Sequence, residues 1–300
     1  MVKKFGLGTA QLGSNYGIAN CSGMPDYEES FQILDTALEN GFFLLDTAPA
    51  YGESEKIIGK WGRNKNRVQY DNILLLSKLP VLDDYSCNRI IEEVLNKSLN
   101  LLNKNRIDYY LIHDYKQIFV PGFPALNQLI PLRHRGLIGK IGISVYHPEE
   151  AFETLKYPDL EIIEIPLNLF DQRFLEGNLL EKLKEEKKTV ICRSIFLQGL
   201  FFISKEKLPP AMQEYDEIIT NLYQAAEKAG NTVYELACRF PLGIEGIDII
   251  LTGTETKKQL AEFTEVIKRG SLDKKTMDIC YQLKQNDKER LINPSLWRLK

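Results

Sequence analysis

Phe42-Phe43-Leu44-Leu45-Asp46-Thr47-Ala48-Pro49-Ala50-Tyr51-Gly52-Glu53-Ser54-Glu55 sets the pattern for the whole chain. An apolar run ends abruptly in a carboxylate, a turn punctuated by proline and glycine carries a tyrosine, and an acidic segment with helical periodicity begins. This is a buried strand, a βα turn and a helix start. It delivers polar groups to the C-terminal rim of the strand.

The unit recurs on either side. Apolar runs at Phe5–Ala10, Ile73–Lys78, Tyr109–His113, Lys140–Ser144, Ile162–Pro166, Thr189–Ser194 and Ile247–Leu251 join Phe42–Asp46 as strand candidates. Amphipathic segments lie between them: Glu28–Asn40, Ser54–Trp61, Asn88–Leu102, Ala125–Arg135, Pro148–Lys156, Asn178–Lys187, Tyr215–Arg239 broken at Gly230-Asn231, and Lys257–Arg269. Such alternation means parallel strands joined by right-handed crossovers. An open doubly wound sheet would carry a G-x-G-x-x-G turn; Gly6-Leu7-Gly8 begins one, but Gln11 stands at the third glycine. The pattern predicts an α/β fold, a single (β/α)8 TIM barrel over residues 1–300 with a C-terminal extra helix and tail. The extra segment contains Met277, Ile279, Cys280 and Leu283, and the tail Leu296-Trp297-Arg298 is expected across one mouth of the barrel.

With 300 residues and a net charge of -3, the chain has no basic stripe for nucleic acid. Five scattered cysteines without a CxxC pair suit reduced, mostly buried thiols in a cytoplasmic protein. No run is long enough to span a bilayer, and the N-terminus lacks a signal-length apolar core, so no membrane association is expected. His134 and His147 lie far from any acidic cluster with ligand spacing, so no metal site is expected.

In such a barrel the chemistry collects where strands end. Strand two ends at Asp46 with Tyr51 in its loop, strand three at Lys78, strand four at His113. An ammonium beside a phenol favours the phenolate, and is expected to lower the Tyr51 pKa from its ordinary value of about 10. Asp46 would hold Lys78 charged, and His113 would orient a carbonyl oxygen toward Tyr51. Together they form a tunable general acid beside a polarised carbonyl.

At these residues the chain resembles the aldo/keto reductases. The likeness runs through Gly6-Leu7-Gly8-Thr9, Leu45–Gly52 with Ser54-Glu55, Ser77-Lys78, Leu111-Ile112-His113, Ile141–Ser144, Pro166–Leu169 and Arg193–Leu200. It implies a barrel that binds NADPH, with NADH not excluded, and reduces a small-molecule carbonyl substrate. Asp46, Tyr51, Lys78 and His113 become the catalytic tetrad, with Tyr51 giving the proton. The resemblance also counts Gly8 and Thr9 among cofactor-binding residues. It puts Ser144 at the nicotinamide carboxamide, counts Glu164 among the cofactor contacts, and puts Arg193 at the nicotinamide ring, Ser194 and Phe196 along the pyrophosphate, and Gly253, Thr254, Glu255, Gln259 and Glu262 at the adenosine. A helix opening after Gly253 offers free N–H groups to phosphate on physical grounds as well.

The sequence departs from the family pattern at four places. Val145 stands for Asn, Glu164 for Gln, Phe263 for Asn and Gln259 for Arg. Lys257 and Lys258 could supply charge for a 2′-phosphate, whereas Glu255 would repel it. These changes keep a second reading in play, a catalytically weak NAD(P)H-binding barrel that acts as a sensor or assembly partner. A third makes Lys78 a Schiff-base lysine, which pairing with Asp46 argues against. Substrate selection is expected from Gln11–Pro25, Asp114–Phe123, Leu200–Pro210 and the tail near Trp297. The charges of Asp114 and Lys116 beside His113 suggest a polar, hydroxylated substrate.

Overall fold

The structure is a computed structural model that describes residues 4–65, 67–82, 88–119 and 124–297. Strands β1 (Lys4–Gly8), β2 (Leu44–Asp46), β3 (Leu74–Leu79), β4 (Ile107–Ile112), β5 (Ile138–Ser144), β6 (Leu160–Pro166), β7 (Thr189–Arg193) and β8 (Ile249–Gly253) form a closed barrel in chain order. All neighbours run parallel, and Gly8 opposite Gly253 closes the ring.

Strand periodicity explains how the site arises. Leu44, Leu76, Leu111, Ile162, Ile191 and Leu251 form a buried layer of their own, distinct from the larger core between strands and helices. Side chains alternate faces along a strand, so the residue two places on points the same way, one layer nearer the C-terminal rim. Those residues are Asp46, Lys78, His113, Glu164, Arg193 and Gly253. Six strands thus present an apolar floor, and one step up five of them present a titratable side chain and β8 a glycine.

Most element ends fall within a few residues of the sequence reading, and the shifts have local causes. The first strand stops at Gly8 rather than Ala10: the Thr9 amide donates to Asp46 O at 2.9 Å and the chain turns into the short helix Ala10–Gly13. The helix Tyr27–Glu39 starts where Asp26 accepts from the Glu29 amide at 2.9 Å. The long amphipathic stretch divides into Asp216–Lys228 and Val233–Arg239, with Gly230 at φ 65° and Thr232 and Glu235 forming a capping box. Asn88–Leu102 is helical over the expected residues.

After β8 come the helices Lys257–Ile267, Lys274–Gln282 and Glu289–Ile292. The Gln285 amide donates to Phe170 O at 2.8 Å and the Gln172 side chain to Cys280 O at 2.8 Å, binding this segment to the loop after β6. It brings Pro294 and Ser295 to the barrel mouth, whereas Arg298 lies outside the described residues. Cys192, Cys238 and Cys280 are buried and Cys21 is exposed; Cys87 lies outside the described residues. Among the described residues no helix is long and apolar enough to cross a membrane.

Candidate active site

The turn that carries Tyr51 is fixed from below. Thr9 Oγ1 donates to Asp46 O at 2.7 Å and shares a 2.6 Å hydrogen bond with Ser54 Oγ, which also meets Thr47 Oγ1 at 2.9 Å. Buried Glu55 accepts from Ser77 Oγ at 2.7 Å and Ser98 Oγ at 3.2 Å, tying the helix Ser54–Arg63 to the residue before Lys78. The turn also presses on the β1 loop. A Cβ on Gly13 would lie 1.8 Å from Tyr51 O, and one on Gly52, at φ 59°, 2.2 Å from Gly13 O. Both positions therefore demand glycine.

Asp46, Tyr51, Lys78 and His113 converge. The Lys78 ammonium, 1% exposed, contacts Asp46 Oδ1 directly and donates to the Tyr51 hydroxyl at 3.2 Å. The His113 ring stands edge-on to Tyr51 with centroids 6.3 Å apart. Glu164 adds a second carboxylate to the same lysine, 3.6 Å from Nζ, and its other oxygen lies 3.4 Å from Arg193 Nε. Two cations and two carboxylates thus form one buried, balanced array. The sequence reading had given Glu164 to the cofactor alone.

Each charge state follows from this packing. Burial pulls the Lys78 amine down, but Asp46, Glu164 and Tyr51 more than reverse it, so it stays an ammonium. Burial pushes the Asp46 carboxyl up to about 6 despite Lys78, with Glu164 adding to the rise. For Glu164 the two cations outweigh burial and hold it below the usual carboxylate range. Burial, with Lys78 assisting, lowers His113 to about 4, leaving a neutral imidazole at neutral pH. Tyr51 corrects the sequence expectation. Its pKa is raised, because burial outweighs Lys78, and Asp46 and Glu164 reinforce the rise.

Above the array opens a cavity of 610 Å³. Asp46, Tyr51 and His113 line it with Gly8, Ser144, Glu164, Arg193, Ser194 and Phe196; toward the far side follow Gly253, Thr254, Glu255, Gln259 and Glu262. Lys78 stands behind this wall. Thr9 does not line the cavity either; it is fully buried and serves the Asp46–Ser54 contacts instead. Both oxygens of Glu164 are buried between the two cations, and Ser144 hydrogen-bonds the same carboxylate. A buried acceptor pair of this kind fits the N–H groups of an amide.

Several lining residues had no individual signal in the sequence. Tyr146 lies under the Arg193 guanidinium at 4.5 Å, Tyr234 stacks on Phe196 at 5.5 Å, and Gln198 hydrogen-bonds the Tyr16 hydroxyl. Gln198 and Phe196 belong to a contorted loop after β7, in which Ser194, Leu197 and Gln198 have φ of 62°, 47° and 54°. The Ile18 amide donates to Gln198 O at 2.9 Å and ties that loop to the one after β1. Asp114 and Lys116 do not line the cavity, and residues 120–123 of that loop lie outside the described residues.

Residues 4–285 match the aldo/keto reductase family, and the chain belongs to it. Members of this family are NAD(P)H-dependent oxidoreductases, and the chain is one of them, reducing carbonyl compounds. It is 30% identical over 291 residues to aldo-keto reductase YhdN of Bacillus subtilis, covering 88% of this chain and 84% of that one. In fold it is similar to aldo-keto reductase AKR11C1 from Bacillus halodurans (TM-score 0.77, 21% identity, 95% and 93% of the two chains). It is likewise similar to the glycerol dehydrogenase AKR11B4 from Gluconobacter oxydans (TM-score 0.74, 24% identity, 98% and 94%).

Proposed function

We propose that this chain reduces an aldehyde or ketone to an alcohol with NADPH or NADH, Tyr51 supplying the proton. The observation that carries this reading is the 3.2 Å hydrogen bond from Lys78 to the Tyr51 hydroxyl at the cavity wall. Lys78 donates, so the phenol's own hydrogen is left to donate into the cavity. As the proton leaves, the phenolate forms beside a fixed ammonium, where low local polarity strengthens the attraction. Neutral His113 offers an N–H to the carbonyl oxygen, which becomes more basic as the alcohol forms.

Bound nicotinamide supplies the hydride. Ser144 and Glu164, hydrogen-bonded to each other at the cavity wall, would hold its carboxamide. Arg193, Ser194 and Phe196 follow the dinucleotide along the β7 loop, with Gly8 and Gly253 on the β1 and β8 rims, toward Thr254, Glu255, Gln259 and Glu262.

The sensor reading rested on altered cofactor contacts. Val145 still offers its carbonyl to Arg193 Nη2 at 3.2 Å, and Phe263 packs on Phe5, Phe42 and Phe196. Neither change removes a contact among Asp46, Lys78 and Tyr51, so reduction is the favoured reading. The Schiff-base reading needs a neutral Lys78 amine, which its two carboxylates oppose.

The cavity wall that Tyr51 shares also presents Tyr16, Tyr146, Gln198 and Ser295. These uncharged polar groups support a hydroxylated carbonyl substrate in place of the Asp114 and Lys116 argument. Comparing kcat/KM across aldehydes tests it: hydroxylated aldehydes should be favoured, and better turnover of apolar aromatic ones would reject it.

The pH profile of reduction tests the charge assignments. Tyr51 is raised, so its acid form persists past about 10 and no alkaline limb is expected near neutrality. Asp46 protonates as pH falls through about 6, which weakens its hold on Lys78, so kcat/KM should decline there. His113 titrates only near 4 and cannot cause that decline. Asp46→Asn should lower the plateau and abolish the limb near 6. A limb that survives in Asp46→Asn would refute the assignment.

A further inference from the structure

The far end of the cavity has an unexpected charge pattern. Beyond Gly253 its wall carries Glu255 and Glu262, and among the described lining residues Arg193, at the opposite end against Glu164, is the one lysine or arginine. The lysines nearest in sequence already have partners, and that of Lys258 is the lining residue Glu262 itself. The Lys257 ammonium donates to Gln32 Oε1 at 3.1 Å, the Lys258 ammonium lies 3.9 Å from Glu262, and neither residue lines the cavity.

Three backbone donors at this end, the amides of Glu255, Lys257 and Gln259, are engaged too. The helix Lys257–Ile267 ought to offer its first amides to an anion. Here the Lys257 amide donates to Glu29 Oε1 at 2.8 Å, a carboxylate from the helix Tyr27–Glu39, and the Gln259 amide to Thr256 Oγ1 at 3.2 Å. Gln259 Oε1 accepts from the Glu255 amide at 2.8 Å and from Thr254 Oγ1 at 3.1 Å. Two of the first three amides of the helix are thus bonded to the protein's own acceptors, one of them an anion.

A phosphate entering this end meets carboxylates, with no cation on the wall and with these amides already bonded. A hydroxyl has a proton to give a carboxylate; a phosphate monoester, with its second pKa at about 6, has largely lost its own at neutral pH.

We propose that the adenosine end of this cavity rejects a 2′-phosphate, so that NADH and not NADPH is the dinucleotide this chain takes, with Glu255 and Glu262 as the discriminating residues. This rests on the reading that the cavity holds a nicotinamide dinucleotide. It replaces the NADPH that the family resemblance implies.

Equilibrium binding tests it without turnover. NADH and NADPH are titrated separately into the wild-type protein, followed by its intrinsic fluorescence, at low and at raised ionic strength. NADH should bind at least about tenfold more tightly, and salt should narrow the gap by screening the repulsion. Glu255→Gln with Glu262→Gln should narrow it further, through stronger NADPH binding. Equal or tighter NADPH binding by the wild type would overturn the proposal while leaving the reductase reading intact, as would a preference that neither salt nor the double variant changes. Failure of both dinucleotides to bind would overturn the reductase reading and this proposal with it.

Discussion

Tyr51→Phe is expected to cut the rate of carbonyl reduction by about 10²- to 10⁴-fold, the usual contribution of a positioned general acid, while dinucleotide binding stays nearly unchanged. At about 1.36 kcal/mol per tenfold, this is about 3–5 kcal/mol of transition-state stabilisation. The substitution keeps the ring that stands edge-on to His113 and removes only the hydroxyl that accepts from Lys78. Lys78 retains Asp46 and Glu164, so the buried array survives. Loss in kcat without loss of binding marks a group that acts in the transition state. Steady-state rates beside dinucleotide titrations of both proteins check this, and a variant with most of its activity would remove Tyr51 from its role.

Lys78→Met is expected to do more damage. It removes the cation shared by Asp46 and Glu164, both nearly inaccessible, and leaves Arg193 as the remaining partner of Glu164. Taking one member from a buried charge pair costs about 3–5 kcal/mol, chiefly for the charge left behind. Activity should fall at least as far as in Tyr51→Phe, since the forming phenolate loses its ammonium. Adding Asp46→Asn should restore part of the stability and none of the activity, a non-additivity expected of groups in contact. Chemical denaturation of the two variants beside wild type measures it. Lys78→Met as stable as wild type would mean that the array is not the charge-balanced unit described above.

The barrel was legible because each strand announces itself as an apolar run and each rim residue stands two places beyond an interior one. Leu44 and Asp46, Leu76 and Lys78, Leu111 and His113 are pairs that can be read off the chain. The pairing of Asp46 with Lys78 followed from the adjacency of β2 and β3. The partner that comes from across the barrel was not legible. Glu164 meets Arg193 from the neighbouring strand β7, but nothing in local sequence tells that it also reaches Lys78 over the barrel interior. The direction of the Tyr51 shift was misjudged for a related reason. Sequence names the neighbouring charge, but the burial that overcomes it depends on the whole cavity wall. Tyr234 is further from reach, since it sits on the helix Val233–Arg239 and stacks on Phe196 from the loop after β7, 38 residues earlier in the chain. The helix start at Lys257 shows the same limit: an inviting phosphate seat in one dimension is filled by Glu29 in three.

A single-turnover experiment bears most directly on whether this cavity performs reduction with Tyr51 as the acid. Protein in excess is loaded with NADH or NADPH, mixed with a small hydroxylated aldehyde, and followed by the absorbance of the reduced nicotinamide. Wild-type protein should consume all of the bound reduced dinucleotide, one alcohol formed for each, and Tyr51→Phe, equally loaded, should do so at least about 10²-fold more slowly. Bound dinucleotide that stays reduced across a range of aldehydes and ketones, or equal rates in the two proteins, would contradict it.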